Sequence, residues 1–225
     1  MKNKDLFDKP LYRGLNYIYY FFALNILFLV SNIIFIMFYG AAEPNIYSYI
    51  LLFVTAIPVG PSISAILSVM GKLIKEKDIE VWKDYSKAYR QNFKQSLVVW
   101  VGLLVVLGIL LVDINFVNSI PRYKFASMFF LGIIIILILI ALYAFPILTK
   151  FNMKTVDIIR ASIYFSIRKL PTTAVKIVII IGTFYLLKYL KVIGFMFFTS
   201  VIAFLIMFYD RSTFAELESK LKKAK

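Results

Sequence analysis

The side chains that carry most enzyme chemistry are scarce in this sequence. Its 225 residues include no histidine and no cysteine. That composition excludes Ser-His-Asp and Cys-His nucleophilic sites, thiol redox chemistry and the usual zinc ligand sets. Twelve carboxylates are present, but no two share an apolar segment in which a raised pKa could support acid–base work. The sequence therefore predicts no enzyme activity and no catalytic, metal-binding or cofactor-binding residues.

A proline motif, IPVGPS at residues 57–62, interrupts one of the long apolar runs. Proline lacks an N–H, so Pro58 and Pro61 leave the carbonyl groups of two preceding residues without helical partners. Inside a membrane, such a break either lines a substrate cavity or forms a kink with polar helix–helix contacts. No charged residue accompanies it, which argues against proton or sodium coupling. The residues that would line a cavity are Asn25, Asn32, Pro58, Gly60, Pro61 and Ser62.

Two basic segments, 75–96 and 155–170, are predicted to be amphipathic helices. In both, apolar or aromatic residues recur every three or four positions, with Lys and Arg on other faces. Such helices either lie on the anionic inner leaflet or form a docking surface for a cytoplasmic partner. The residues predicted to make these lipid or partner contacts are Trp82, Tyr85, Tyr89, Arg90, Phe93, Lys94, Arg168 and Lys169.

The elements that must position these residues are long apolar helices. Hydrophobic residues make up 61% of the chain, against roughly 45–50% in soluble domains. A hydrocarbon core about 30 Å thick needs about 20 helical residues. Six spans are predicted, at about residues 15–38, 47–70, 94–112, 125–149, 173–187 and 192–209. A tight turn at 188–194 is expected between the last two, because a single helix over 173–209 would be far longer than the bilayer is thick.

The fold class is therefore an all-α polytopic membrane helix bundle with two amphipathic cytoplasmic helices. Residues 1–212 form a single membrane domain, and 213–225 form a basic cytoplasmic tail. Apart from Lys94, the first residue of the third span, Lys176 is the one charged residue inside a predicted span. It lies three residues from the end, where its side chain is expected to reach the membrane interface.

The net charge of +14 is distributed unevenly along the chain. Of the 26 Lys and Arg residues, 22 fall in four segments: before the first span, at 72–94, at 150–176 and after the last span. The other four fall in the connections that separate these segments. By the positive-inside rule, both termini are cytoplasmic. A five-span alternative would leave nine of the 26 outside, which favours six spans. The charge is thus explained by topology and anionic lipid, and no nucleic-acid partner is predicted.

Several short stretches of the sequence, in their order and spacing, resemble those of a known family. They include residues 10–12, 24–27, 58–65, 82–85 and 89–96, then YAFPILTKF at 143–151 and RKLPTT at 168–173. Together, over about residues 6–212, they resemble the YesL-like family of bacterial integral membrane proteins, whose domain has no assigned function. Lys150 stands where that family commonly has Arg, and Lys169 where it often has His. The resemblance implies a multi-span protein of the bacterial cytoplasmic membrane, often encoded beside sugar-uptake ABC transporter components, with no catalytic residues.

Two hypotheses follow. The first is a non-enzymatic accessory or regulatory membrane protein associated with carbohydrate uptake, whose basic loops contact ABC transporter components. The second is a permease-like transport component in which the kinked Pro58/Pro61 helix lines the substrate path.

Overall fold

The computed structural model describes residues 10–120 and 123–223, which fold into helices joined by short loops, with no strand among them. The predicted all-helical class is therefore confirmed for this part of the chain. The helices are α1 (Pro10–Ser31), α2 (Ile33–Ala41), α3 (Ile46–Thr55), α4 (Val59–Glu76), α5 (Val81–Asn118), α6 (Ala126–Lys150), α7 (Thr155–Arg168), α8 (Leu170–Tyr209) and α9 (Arg211–Lys223).

The described helices include five segments that are long and apolar enough to cross a membrane. These are Gly14–Ser31, Ile46–Glu76, Val81–Asn118, Ala126–Lys150 and Leu170–Leu190. A sixth is obtained if Met196–Tyr209 is counted together with Arg211–Lys223, to which it is bent by 49°. Length and composition thus give five or six spans, and the chain is a multi-pass membrane protein.

Both of the first two predicted spans are interrupted. The break between α1 and α2 falls at Asn32, whose Nδ2 donates to the carbonyl oxygen of Phe28 at 2.7 Å. Beside it, the Ser31 hydroxyl donates to the Leu27 carbonyl at 2.8 Å. Side chains that bond to the preceding turn in this way compete with the helical ladder and bend helices. The break between α3 and α4 falls at residues 56–58, at the first proline of the motif.

Helix α8 reverses direction within its own length. Its backbone is helical over 40 residues, which would extend about 60 Å if straight. Yet the rings of Phe184 and Phe198 lie 4.9 Å apart. A Cβ atom on Gly194 would also lie only 3.6 Å from Cα of Leu187. The chain therefore folds back between residues 187 and 194, where the sequence predicts a turn, and the two arms of α8 pack together.

The basic segments meet at one end of the bundle, called the basic end below. There Gln95 Nε2 donates to the Met153 carbonyl at 2.7 Å, which links the start of α5 to the loop after α6. Many of the most deeply buried side chains lie on the helices near this end, among them Ile66, Met70, Leu73, Tyr143, Ile147, Ile158 and Phe165.

Apolar side chains elsewhere are widely exposed. Tyr39, Tyr47, Phe116 and Phe125 show 71%, 77%, 69% and 83% of their surface. Apolar patches of this extent are found on proteins that face lipid or a partner. The exposure therefore agrees with helices that lie in a bilayer.

The predicted C-terminal tail is a helix packed against the bundle. Helix α9 begins at Arg211, two residues before the predicted boundary, and Phe214 and Leu217 are buried. The ring of Phe214 lies 6.0 Å from that of Phe151, edge to face. Apolar residues three apart share one helical face, and this face attaches α9 to the basic end.

Candidate functional site

At the proline break, a tryptophan from another helix donates a hydrogen bond to the interrupted backbone. Trp100 Nε1 donates to the Ala56 carbonyl at 2.8 Å, and the Val59 amide reaches the same oxygen at 3.1 Å. The Val54 carbonyl, which cannot bond to Pro58, accepts from the Ile57 amide at 3.2 Å. Backbone groups freed inside a membrane need such internal partners.

The same tryptophan explains the glycine of the motif. A Cβ atom on Gly60 would overlap Cβ and the indole ring of Trp100. Because Gly60 has no side chain, α5 approaches α4 closely enough for the indole to reach the break. The Trp100 ring then contacts Phe145 of α6 edge to face, at 6.0 Å between centroids.

The polar residues near the break connect helices. Ser62 Oγ lies 3.3 Å from Asn32 Oδ1, and Asn25 Oδ1 accepts the Thr199 amide at 3.0 Å. Asn25, Asn32, Gly60, Pro61 and Ser62 are all buried, and Pro58 is partly buried. Two cavities, of about 520 and 370 Å³, lie elsewhere and are lined by none of these six residues. This geometry is that of polar helix–helix contacts at a kink.

Of the basic segment predicted as one helix at 75–96, residues 81–96 form the first turns of α5. The helix is not continuous, because α4 ends at Glu76 and residues 77–80 form the loop between α4 and α5. Trp82 is 65% exposed and Phe93 is 37% exposed, whereas Tyr89 is half-buried between them on the helix. Arg90 and Lys94 are exposed beside this aromatic edge. These five residues are called the α5 surface below.

Tyr85, which the sequence grouped with these residues, lies on the same stripe, with its ring 6.3 Å from that of Tyr89, but it is buried. It is 4% exposed, and its hydroxyl lies 3.2 Å from the Ser31 hydroxyl of α1. In this structure Tyr85 joins α5 to α1 and is closed to a partner or to lipid. The 3.6-residue period predicts a stripe but not which edge of it turns inward.

The second amphipathic segment, 155–170, forms α7, then Lys169 and the first residue of α8, and it has a buried face and an exposed face. Ile158, Ser162 and Phe165 are buried against the bundle. The predicted apolar stripe is exposed instead, and it consists of Val156, Ile159, Ile163, Ile167 and Leu170. Exposed Arg160 lies beside this stripe, and exposed Arg168 lies at its edge. A helix at a membrane interface likewise presents apolar and basic side chains together on its outer surface.

Arg168 and Lys169 are held within the chain by an acidic residue of α9. Arg168 Nε and Lys169 Nζ each lie 3.0 Å from an oxygen of Glu216, and Lys220 Nζ lies at 3.3 Å. The hydrogen bond from Lys169, with smaller contributions from Lys220 and Arg168, lowers the pKa of Glu216 below its ordinary value of 4.5. Both predicted contact residues therefore fasten α9 to the bundle.

A buried ion pair is the charged site that sequence reasoning missed. Lys176 Nζ lies 2.7 Å from Asp210 Oδ1, and the two side chains are 0% and 1% exposed. Lys176 also donates to the Leu142 carbonyl at 3.0 Å and lies 3.4 Å from the centroid of the Tyr143 ring. The expectation that Lys176 reaches the interface is thus wrong, because its partner comes from the other end of α8.

A signal for this pair existed in the sequence. Lys176 is the one charge beyond the first residue of a predicted span, and Asp210 directly follows the last span. Ionisable residues in membrane segments usually pair with one another. Nearby, the Tyr143 hydroxyl lies 2.9 Å from the Thr173 hydroxyl, which joins α6 to the start of α8. Within the described residues, no group of three or more acidic side chains is arranged to hold a metal ion.

Fold and site together define an α-helical multi-pass membrane protein whose buried polar groups join its helices. Residues 21–114 match the model of a family described as a protein of unknown function, DUF624. No curated protein and no solved structure matches the chain. The matched range holds the proline break and the α5 surface, whereas α6 to α9 and the Lys176–Asp210 pair lie outside it. The YesL-like resemblance stays a prediction.

Proposed function

We propose that this chain is a non-enzymatic accessory or regulatory protein of the bacterial cytoplasmic membrane, with both termini in the cytoplasm. The α5 surface is its contact site for a cytoplasmic or membrane partner. The observation that carries the proposal is the exposure of Trp82 and Phe93 beside Arg90 and Lys94. Tryptophan and arginine are the side chains that most often dominate binding at protein interfaces.

The length of α5 supports this assignment. Its 38 residues extend about 57 Å, roughly twice the thickness of the hydrocarbon core. The predicted span takes up residues 94–112, so most of the α5 surface lies before the bilayer. A partner that covers aromatic side chains held there in water lowers the free energy of the complex, because apolar surface is removed from water.

The YesL-like resemblance suggests the class of partner, a component of a carbohydrate-uptake ABC transporter. Anionic lipid of the inner leaflet is the second expected contact, through the exposed stripe and Arg160 of α7. These two contacts, with the positive-inside distribution, account for the charge of +14 without nucleic acid.

Affinity capture tests the proposal. The tagged chain and a W82A/F93A variant are captured from gently solubilised membranes, and the co-purifying proteins are compared. We expect a stoichiometric partner with the wild-type chain and its loss from W82A/F93A. The matched control is V105A/I109A, which truncates two exposed side chains of the same helix within its span. Equal recovery with all three chains would refute a docking role for the α5 surface.

The break in the second span favours a second candidate function, a permease-like transport component. Broken helices near mid-membrane form the substrate sites of many transporters. Alanine substitution of Asn25, Pro58, Pro61 and Ser62 separates the two functions in a cellular assay of carbohydrate uptake. A transport path requires these four to be sensitive. If the alanine substitutions at these four positions are tolerated while W82A/F93A loses function, a transport path is ruled out.

A further inference from the structure

A cavity of about 520 Å³ opens at the basic end, between the last turns of α4 and α6 and the junction of α8 with α9. Its lining combines four cationic side chains, one carboxylate, two hydroxyls and an apolar wall. The lining residues are Ser68, Gly71, Lys72, Ile74, Lys75, Glu76, Thr149, Lys150, Met207, Arg211 and Phe214. Its volume lies within the range of about 300–1,000 Å³ that is typical of small-molecule sites.

One of the four cations is already neutralised. Lys72 Nζ lies 2.7 Å from both carboxylate oxygens of Asp84 and 3.8 Å from Glu76. Asp84 also accepts the Glu80 amide at 3.0 Å, which fixes it at the start of α5. Lys72 therefore serves to join α4 to α5.

The other three cations are available to a ligand. Lys75, Lys150 and Arg211 are exposed at the rim, and none forms a salt bridge with another residue of the described ranges. They come from three helices, so the fold brings three like charges to one opening. Like charges held together are costly unless an anion compensates them.

Below the rim, the wall is apolar and the lining includes the hydroxyl of Thr149. Met207 and Phe214 are 4% and 8% exposed and form the inner wall. The Thr149 hydroxyl donates to the Pro146 carbonyl at 2.8 Å, so its oxygen can still accept a hydrogen bond. Gly71 leaves room beside Met207, because a Cβ atom there would lie 2.6 Å from Met207 Cε.

We propose that this cavity binds an organic phosphate, with the phosphate held by Lys75, Lys150 and Arg211 and the organic part against Met207 and Phe214. Arginine and lysine together are the usual ligands of phosphate groups. Basic pockets between membrane helices on the cytoplasmic side bind lipid headgroups. The ligand is thus either an anionic phospholipid that enters from the inner leaflet or a soluble phosphate ester. The site is separate from the α5 surface and does not depend on a partner protein.

Thermal unfolding of the full-length, delipidated chain in dodecyl maltoside distinguishes the two sources. The probes are phosphatidylglycerol in mixed micelles, the same micelles with phosphatidylcholine, soluble glycerol 3-phosphate, and inorganic phosphate. Stabilisation by phosphatidylglycerol alone identifies a lipid site, and stabilisation by glycerol 3-phosphate identifies a site for soluble esters. No shift with any probe, or an equal shift with phosphatidylcholine, overturns the proposal.

A charge-matched pair of variants locates the binding. K75Q/K150Q/R211Q removes the three rim cations, and we expect it to bind the effective probe at least about tenfold more weakly. K154Q/K222Q/K223Q removes three exposed cations of the basic end that do not line the cavity, and it should bind like the wild type. Affinity retained by the rim variant would place the binding elsewhere, and affinity lost equally by the control would show that net charge alone attracts the ligand. Either result would refute the site.

Discussion

At the scale of single residues, the Lys176–Asp210 pair is the most constrained feature of the molecule. Both groups are withdrawn from solvent, and each provides the nearest opposite charge for the other. A buried pair adds little beyond a well-packed apolar pair, but removing one partner leaves an uncompensated buried charge.

We therefore expect K176M and D210L each to lower the free energy of unfolding by about 3–5 kcal/mol. The double variant K176M/D210L should recover most of that loss, because no charge is left unpaired. Unfolding followed by circular dichroism in detergent measures all three chains. Additive losses in the double variant would show that the two side chains act independently.

Gly60 is constrained by its contact with Trp100. G60A should destabilise the protein by about 1–3 kcal/mol, since the added Cβ must displace the indole. G108A on α5 is the matched control, because nothing lies within 4 Å of a Cβ atom there. That control should be neutral or slightly stabilising, as alanine favours helices. Unfolding in detergent measures both; equal stability of G60A and wild type would contradict the predicted clash.

At the scale of elements, α9 is attached by charge as well as by its apolar face. The pKa of Glu216 is lowered by Lys169, Lys220 and Arg168. A carboxyl whose folded pKa is depressed stabilises the fold above its unfolded pKa, and this contribution is lost as the pH falls through the lower folded value.

The attachment of α9 should therefore weaken in acid. Limited proteolysis of α9, followed from pH 7 down to the protease's acid limit, should show protection above the ordinary pKa of 4.5 that decreases below it. E216Q should be cleaved faster at neutral pH and lose this dependence. E218Q, which alters an exposed i, i+4 pair with Lys222, is the control and should behave like the wild type. A wild-type pH profile in E216Q would contradict the role of Glu216.

The reversal of α8 can also be tested with introduced cysteines, because the sequence contains no natural cysteine that could react instead. F184C/F198C should form a disulfide on mild oxidation, since the two rings are in contact. In a straight helix the two positions would be about 21 Å apart, beyond the reach of a disulfide. F184C/F208C is the control and should stay reduced. No cross-link in F184C/F198C would favour one long helix.

At the scale of the whole molecule, the loops that carry most of the basic charge converge at one end. We expect a reporter fused after residue 225 to give a cytoplasmic signal, because the positive-inside rule places this end in the cytoplasm. A reporter fused after residue 43, in a connection without Lys or Arg, should give an external signal. An external signal from the C-terminal fusion would reject an even number of spans with a cytoplasmic N-terminus.

Much of the architecture could be predicted because a membrane restricts the chain to a few structures. An apolar run of about 20 residues in lipid must be helical, since its backbone groups find partners only within the helix. The fourth predicted span, 125–149, thus differs by one residue at each end from α6. The turn within 173–209 followed from length alone.

The contacts of the polar side chains could not be predicted in the same way. Asn32 and Ser62 are equally suited to line a cavity or to join two helices, and only the neighbouring helix decides between these roles. Likewise, the stripe on α5 fixed a helical face, whereas the position of α1 decided that Tyr85 is buried.

By itself, the sequence determined the helical class, the approximate spans and the clustering of basic charge, because each depends on local composition and on the thickness of the bilayer. Only the tertiary structure decided the pairings. Asp210 meets Lys176 because α8 reverses, Trp100 reaches Ala56 because Gly60 leaves space, and Glu216 binds Lys169 because α9 folds back onto the basic end. Each pairing joins residues far apart in the chain, so its free energy depends on how the helices pack.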